Sequence, residues 1–184
     1  IKASASVGVV IVHHQTPLAY ALKCLREAEQ TAKAAGRNAF CLRILKRAGG
    51  EIAFTDNWWA DVQVPANILE NGFGGNTTIG LFEKLIRTAA TTDKMSRKAF
   101  YAVEDWAHLL PEFSEKWTTS DWEQTQSMAA TMLARQFSQH GAEKTLAEQV
   151  VTTVWSKAQK EKNKSLMNPV QRLKDMLFCA EFFA

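Results

Sequence analysis

Residues 4–44 read SASVGVVIVHHQTPLAYALKCLREAEQTAKAAGRNAFCLRI, and the order of patterns within them decides the fold. Residues 5–12, ASVGVVIV, are a short β-branched apolar run, which favours a buried strand over a helix. Thr16-Pro17 follows, with Thr suited to cap a helix and Pro to open it. Leu18, Ala21, Leu22, Leu25, Ala28 and Ala32 then recur at helical spacing, and Gly36 is placed to end the helix. In FCLRILK, residues 40–46, Phe40, Leu42 and Ile44 alternate with Cys41 and Arg43, a strand pattern. Strand, helix and return strand make one βαβ-like unit.

Outward from this unit, Ala48-Gly49-Gly50 is a turn and EIAFT, residues 51–55, a short additional strand. Residues 58–77, with Trp58-Trp59, Pro65 and the NGFGGN loop at 71–76, read as a linker between an α/β part at 1–57 and a helical part at 78–184. The helical part shows successive apolar stripes: Ile79, Leu81, Phe82, Leu85 and Ile86; Phe100, Val103, Ala107 and Leu110, stopped by Pro111; Trp122, Ala129, Met132, Leu133 and Phe137; Leu146, Val150, Val151, Val154 and Trp155. Val170, Leu173, Met176, Leu177, Ala180 and Phe183 form the last. Ser120 with Glu123 has capping-box spacing, and Asn168-Pro169 repeats the cap-plus-proline signal. The expected class is α+β, a strand–helix–strand unit followed by a bundle of about five helices.

Composition sets wide bounds. At 184 residues the chain can bury a substantial core, and its 46% hydrophobic and 22% charged content is that of a globular protein. The net charge of +3 does not identify a nucleic-acid binder. Its distribution is uneven: residues 1–57 carry 8 basic and 4 acidic side chains, a net +4, leaving the remainder at −1. A basic first third is compatible with an anionic ligand. Cys24, Cys41 and Cys179 form no CxxC pair, so they read as buried thiols of a reducing compartment. No segment approaches the roughly 20 apolar residues of a membrane helix, and the chain reads as cytoplasmic. The absence of an initiator Met points to a longer parent polypeptide.

Few side chains carry chemistry in an obvious arrangement. Lys33 and Arg37 lie four apart near the end of the first helix, where two cations could clamp a phosphate or simply complement the helix C-terminus. His13 and His14 end the first strand and would point to opposite faces, which disfavours a shared metal. Ser6 and Gly8 lie inside the strand, where a glycine either marks a close approach of a ligand or of another backbone or makes room for a bulky neighbour. The sequence contains no GxSxG, HExxH or phosphate-loop motif, and Gly72-Phe73-Gly74-Gly75 lacks the Lys and hydroxyl such a loop needs. Residues 157–164, KAQKEKNK, read as a solvated helix end. The six Trp and most Phe fall at core spacing.

Ser6-Val7-Gly8-Val9, the helix closing in Ala32-Lys33-Ala34-Ala35-Gly36-Arg37-Asn38, and the strand after it resemble the last third of a GGDEF nucleotide cyclase domain. His13-His14-Gln15-Thr16-Pro17-Leu18 and the Arg47-Ala48-Gly49-Gly50-Glu51 turn narrow the likeness. They resemble the second Palm domain in the large, cyclic-oligoadenylate-synthase subunit of type III CRISPR–Cas effector complexes. The likeness covers roughly residues 3–55; the helical remainder, ending in Leu177-Phe178-Cys179-Ala180-Glu181-Phe182-Phe183, matches more loosely. The resemblance implies the second half of a ferredoxin-like Palm followed by a helical C-terminal domain. It implies ATP and divalent Mg or Mn as cofactors of the complete subunit. The implied partners are the small helical subunit, the repeat-handle-binding subunit, and guide and target RNA. By motif position, Lys33 would approach nucleotide phosphates, Arg37 would assist more weakly, and Ser6 would line the nucleotide pocket.

The departure from the family is equally informative. No GGD occurs in the chain, so the carboxylates that would hold two metals against the ribose 3′-hydroxyl and the α-phosphate are missing. The chain alone is therefore expected to be inactive, and an isolated half-Palm is expected to pair with its missing half or with itself. Two alternatives stay open. One is the tail of a diguanylate cyclase or a degenerate nucleotide sensor, which would prefer guanine to adenine. The other is a purely structural helical interaction module.

Overall fold

A computed structural model of the chain describes residues 5–58, 78–90, 95–161 and 167–184. Strand β1 (Val7–Ile11) pairs in parallel with β2 (Ala39–Leu45), with Val7 opposite Phe40 and Ile11 opposite Ile44. Helix α1 (Leu18–Ala34) makes the crossover. Strand β3 (Glu51–Asn57) returns antiparallel beside β2, pairing Leu42 with Phe54. The sheet order is β1-β2-β3, so β2 is central. The class is α+β, with a small mixed sheet and a larger helical part.

The alternation read from β2 separates the two faces of this sheet. Cys41 and Val10 pack with Ala28 and Ala32 of α1. On the other face Phe40, Leu42, Ile44 and Phe54 join a single apolar cluster with the downstream helices. Burying a side chain of this size stabilises by roughly 1.5–3 kcal/mol. Helix α2 (Thr78–Ala90) contributes Leu81, Phe82 and Leu85 to that cluster. Short helices α3 (Lys98–Tyr101) and α4 (Val103–Ala107) add Phe100 and Val103. Helices α5 (Thr119–Gln139) and α6 (Lys144–Lys160) pack against each other. The last helix, α7 (Pro169–Phe183), touches β3, α2, α3, α4 and α6. The sheet and the helices thus share one core, while the expected linker, apart from Trp58, lies outside the described residues.

Several local expectations are corrected. Helix α1 begins one residue later than its sequence signals imply: Pro17 is the cap residue, and Thr16 instead donates its backbone N–H to His13 O in a turn. Gly36 follows the helix at φ 108°, the left-handed conformation a glycine tolerates best. The apolar repeat of α1 does not all face inward. Cys24, Ala28 and Ala32 are buried, whereas Leu18, Leu22 and Leu25 are exposed. The capping box of α5 is Thr118 with Asp121, not Ser120 with Glu123. Thr118 is the last extended residue, so its Oγ1 can accept from the Asp121 N–H while Asp121 Oδ2 accepts from the Thr118 N–H at 2.7 Å. At α7 the expected cap holds: Asn168 Oδ1 accepts from Val170 N and Gln171 N, each at 3.1 Å.

Candidate functional site

Chain direction gathers the three expected nucleotide residues. Strands β1 and β2 run the same way, and α1 runs back between them, so its last turn returns to the end where both strands begin. Ser6 precedes β1 there, Lys33 ends α1, and Arg37 lies in the turn into β2. Arg37 is exposed at φ 60°, just after the left-handed Gly36. Trp58 closes this end of the sheet. Its indole Nε1 donates to Ala5 O at 3.0 Å, its backbone N donates to Asn38 O at 3.2 Å, and its ring lies 5.1 Å from that of Phe40.

Lys33 has a partner already: its Nζ is 2.6 Å from Glu29 Oε1, one helical turn back. Both side chains are half exposed, so the pair is worth only about 0.3–0.5 kcal/mol and yields readily to a stronger anion. Gly8 answers the question its position raised. A Cβ there would stand 2.6 Å from Glu29 N and 3.0 Å from the Ala28 carbonyl carbon. The close approach is that of the α1 backbone, and it sets the helix carrying Lys33 tightly on the strand that Ser6 precedes.

Arg43 ties the same unit together from the α1 face of the sheet. Its Nε and Nη2 donate to Glu51 at 2.5 and 2.7 Å, its Nη1 to Glu27 Oε2 at 2.8 Å and to Cys24 O at 3.3 Å. Hydrogen bonding to Arg43 holds the Glu27 carboxyl below the usual range. His13 and His14 do not straddle a strand as expected. Strand β1 ends at Ile11, and the two rings lie in the following turn with centroids 4.2 Å apart. Among the described residues no group of three His, Cys, Asp or Glu side chains is placed to hold a metal ion.

The most heavily buried charges were not anticipated. Asp56, near the end of β3, is 1% exposed and accepts from Lys157 Nζ at 2.7 Å and from the Arg172 guanidinium. Lys157 also donates to Asn57 O at 3.0 Å and to the Thr78 hydroxyl. Burial pulls the Lys157 ammonium below the usual lysine range, and the Asp56 carboxylate opposes that shift. Lys157 is thus no part of a solvated helix end, and residues 162–164 of that lysine run lie outside the described residues. The network joins β3, the start of α2, α6 and α7. Its side chains are buried, and it works as a structural clamp. Asp56 alone between Thr55 and Asn57 carries no sequence signal, because its partners lie 101 and 116 residues away.

All three cysteines are free and buried, as expected. Burial pushes the Cys41 thiol up and the Cys179 thiol up to about 12, which keeps both protonated and unreactive at neutral pH. Among the described residues no helix is long and apolar enough to cross a membrane. No protein-family model, curated protein or solved structure matches the chain.

Proposed function

We propose that the chain is the C-terminal part of the large subunit of a type III CRISPR–Cas effector: the supporting half of an ATP-binding Palm, followed by a helical domain that docks on the small subunits and the guide–target RNA. One observation carries the reading. The βαβ unit assembled around Gly8 has Ser6, Lys33 and Arg37 at one end, the end at which the resembling Palm receives nucleotide phosphates. The open state of the unit gives further support. Among the described residues strand β1 has one neighbour in the sheet, Val7 and Val9 are exposed on it, and Leu18, Leu22 and Leu25 form an exposed stripe on α1. A missing Palm half would cover such a surface.

In this reading Lys33 exchanges Glu29 for an ATP phosphate, Arg37 adds a second cation, and Ser6 lines the wall. The metal-holding carboxylates come from the other half. The test is ATP affinity in the reassembled subunit. Lys33→Ala should weaken ATP by about 1.5–3 kcal/mol, the worth of a charge-assisted contact. An unchanged affinity overturns the assignment, and a preference for GTP would favour the diguanylate cyclase reading instead.

A further inference from the structure

The opposite end of the same sheet holds a second basic cleft, which none of the roles above uses. It is open, about 580 Å³ in volume, and lies between the turn after β1, the first turn of α1 and the β2–β3 hairpin. His13 and Tyr20 line one side, and Lys46 and Arg47 the other.

Neither Lys46 nor Arg47 has a side-chain ion pair among the described residues. Among the described residues Glu51 is the one carboxylate in the lining, and both its oxygens are committed to Arg43. The hairpin that presents the two cations is fixed: Lys46 N donates to Gly50 O and Gly49 N to Lys46 O, each at 3.1 Å, with Gly49 and Gly50 at φ 84° and 92°. The lysine and arginine are therefore held on a closed loop rather than on a free tail. His13 Nδ1 accepts from Gln15 N at 3.3 Å, which leaves Nε2 as the ring's donor. Tyr20 is half exposed and offers an aromatic face beside these donors. Fixed cations, a ring donor and an aromatic wall in one open cleft match a nucleotide, with its phosphate on Lys46 and Arg47 and its base against Tyr20.

The geometry points to a nucleotide-phosphate site at the β2–β3 hairpin, separate from the Lys33 end. The ligand is either a free nucleoside polyphosphate or a nucleotide of a single-stranded RNA, which share this chemistry. The site does not depend on the Palm reading, because Lys33 and Ser6 take no part in it.

The experiment measures binding of fluorescein-labelled oligoadenylate to the whole chain by polarisation, with unlabelled ATP as competitor. The variants are Lys46→Glu with Arg47→Glu, Tyr20→Ala and Lys33→Ala. The charge-reversed residues are exposed on a turn held by backbone bonds, and an unchanged melting temperature verifies the fold. Binding weakened about tenfold or more by the double reversal, weakened by Tyr20→Ala and unaffected by Lys33→Ala is the expected result. Displacement by ATP at concentrations comparable to the oligonucleotide would identify a free nucleotide, and displacement by RNA alone a strand; either supports the site. Absence of binding by both probes, or binding that depends on Lys33 and ignores Lys46 and Arg47, overturns it.

Discussion

Asp56 shows how much can rest on one side chain. Its carboxylate lies between two buried cations, and removing it takes away the buried anion that Lys157 and Arg172 both contact. Asp56→Ala should cost about 3–5 kcal/mol in urea unfolding, against about 1 kcal/mol for a typical substitution. Asp175 acts in the opposite sense. Burial raises its carboxyl from 3.8 to about 6, although Gln171 Nε2 donates to it at 2.7 Å. The folded state therefore binds the proton more tightly than the unfolded chain. The stability from this group is complete below about pH 4 and is lost as pH rises through about 6. Asp175→Asn should then stabilise by about 3 kcal/mol at pH 7.5 and by little near pH 3.5, as thermal melts at the two pH values would show. Neither residue stands out in the sequence. A lone Asp in a strand and another in a helix look like surface charges until distant elements close over them.

At the scale of elements, the fold depends on how closely α1 sits on β1. Gly8→Ala would drive a methyl group into the α1 backbone and should destabilise by about 1–3 kcal/mol, measured by chemical denaturation. Here the sequence was legible: strand, helix and strand were evident from β-branching, helical spacing and alternation, while the strand glycine left open whether a backbone, a ligand or a bulky side chain comes close. The inward face of α1 was not legible. Leucine and alanine repeat together along it, and periodicity ranks the leucines as core. The contact Gly8 permits is too close for leucine, so Ala28 and Ala32 take it and Leu18, Leu22 and Leu25 are left outside. Leu22→Gln with Leu25→Gln should therefore change the stability of the free chain by less than about 0.5 kcal/mol each. The same pair should weaken association with a covering Palm half, which pull-down against the wild type would reveal.

Across the described residues, the sheet and the helical part share one apolar core. Phe40, Leu42, Ile44 and Phe54 share a cluster with Leu81, Leu133, Trp155 and Leu177, and the Asp56 network crosses the same junction. The division into an α/β part and a helical part was legible as a change of pattern near residue 57. The joint core was not, since apolar stripes reveal which side of an element is buried and not what buries it. The candidate site was half legible. Sequence order brought Ser6, Lys33 and Arg37 to one end, because a helix between parallel strands must return its last turn there. The cation pair of the hairpin cleft was hidden, because Lys46 and Arg47 meet His13 and Tyr20 only once β2 lies beside β1.

Among the described residues β1 forms an edge of the sheet, and the proposed Palm half would pair there. The most direct measurement is native mass spectrometry of this chain mixed with a separately produced GGDD-bearing Palm half of a type III large subunit. A one-to-one complex that Leu22→Gln with Leu25→Gln weakens is the predicted result. A chain that stays monomeric beside the supplied half, with β1 and the α1 stripe uncovered, would contradict the account.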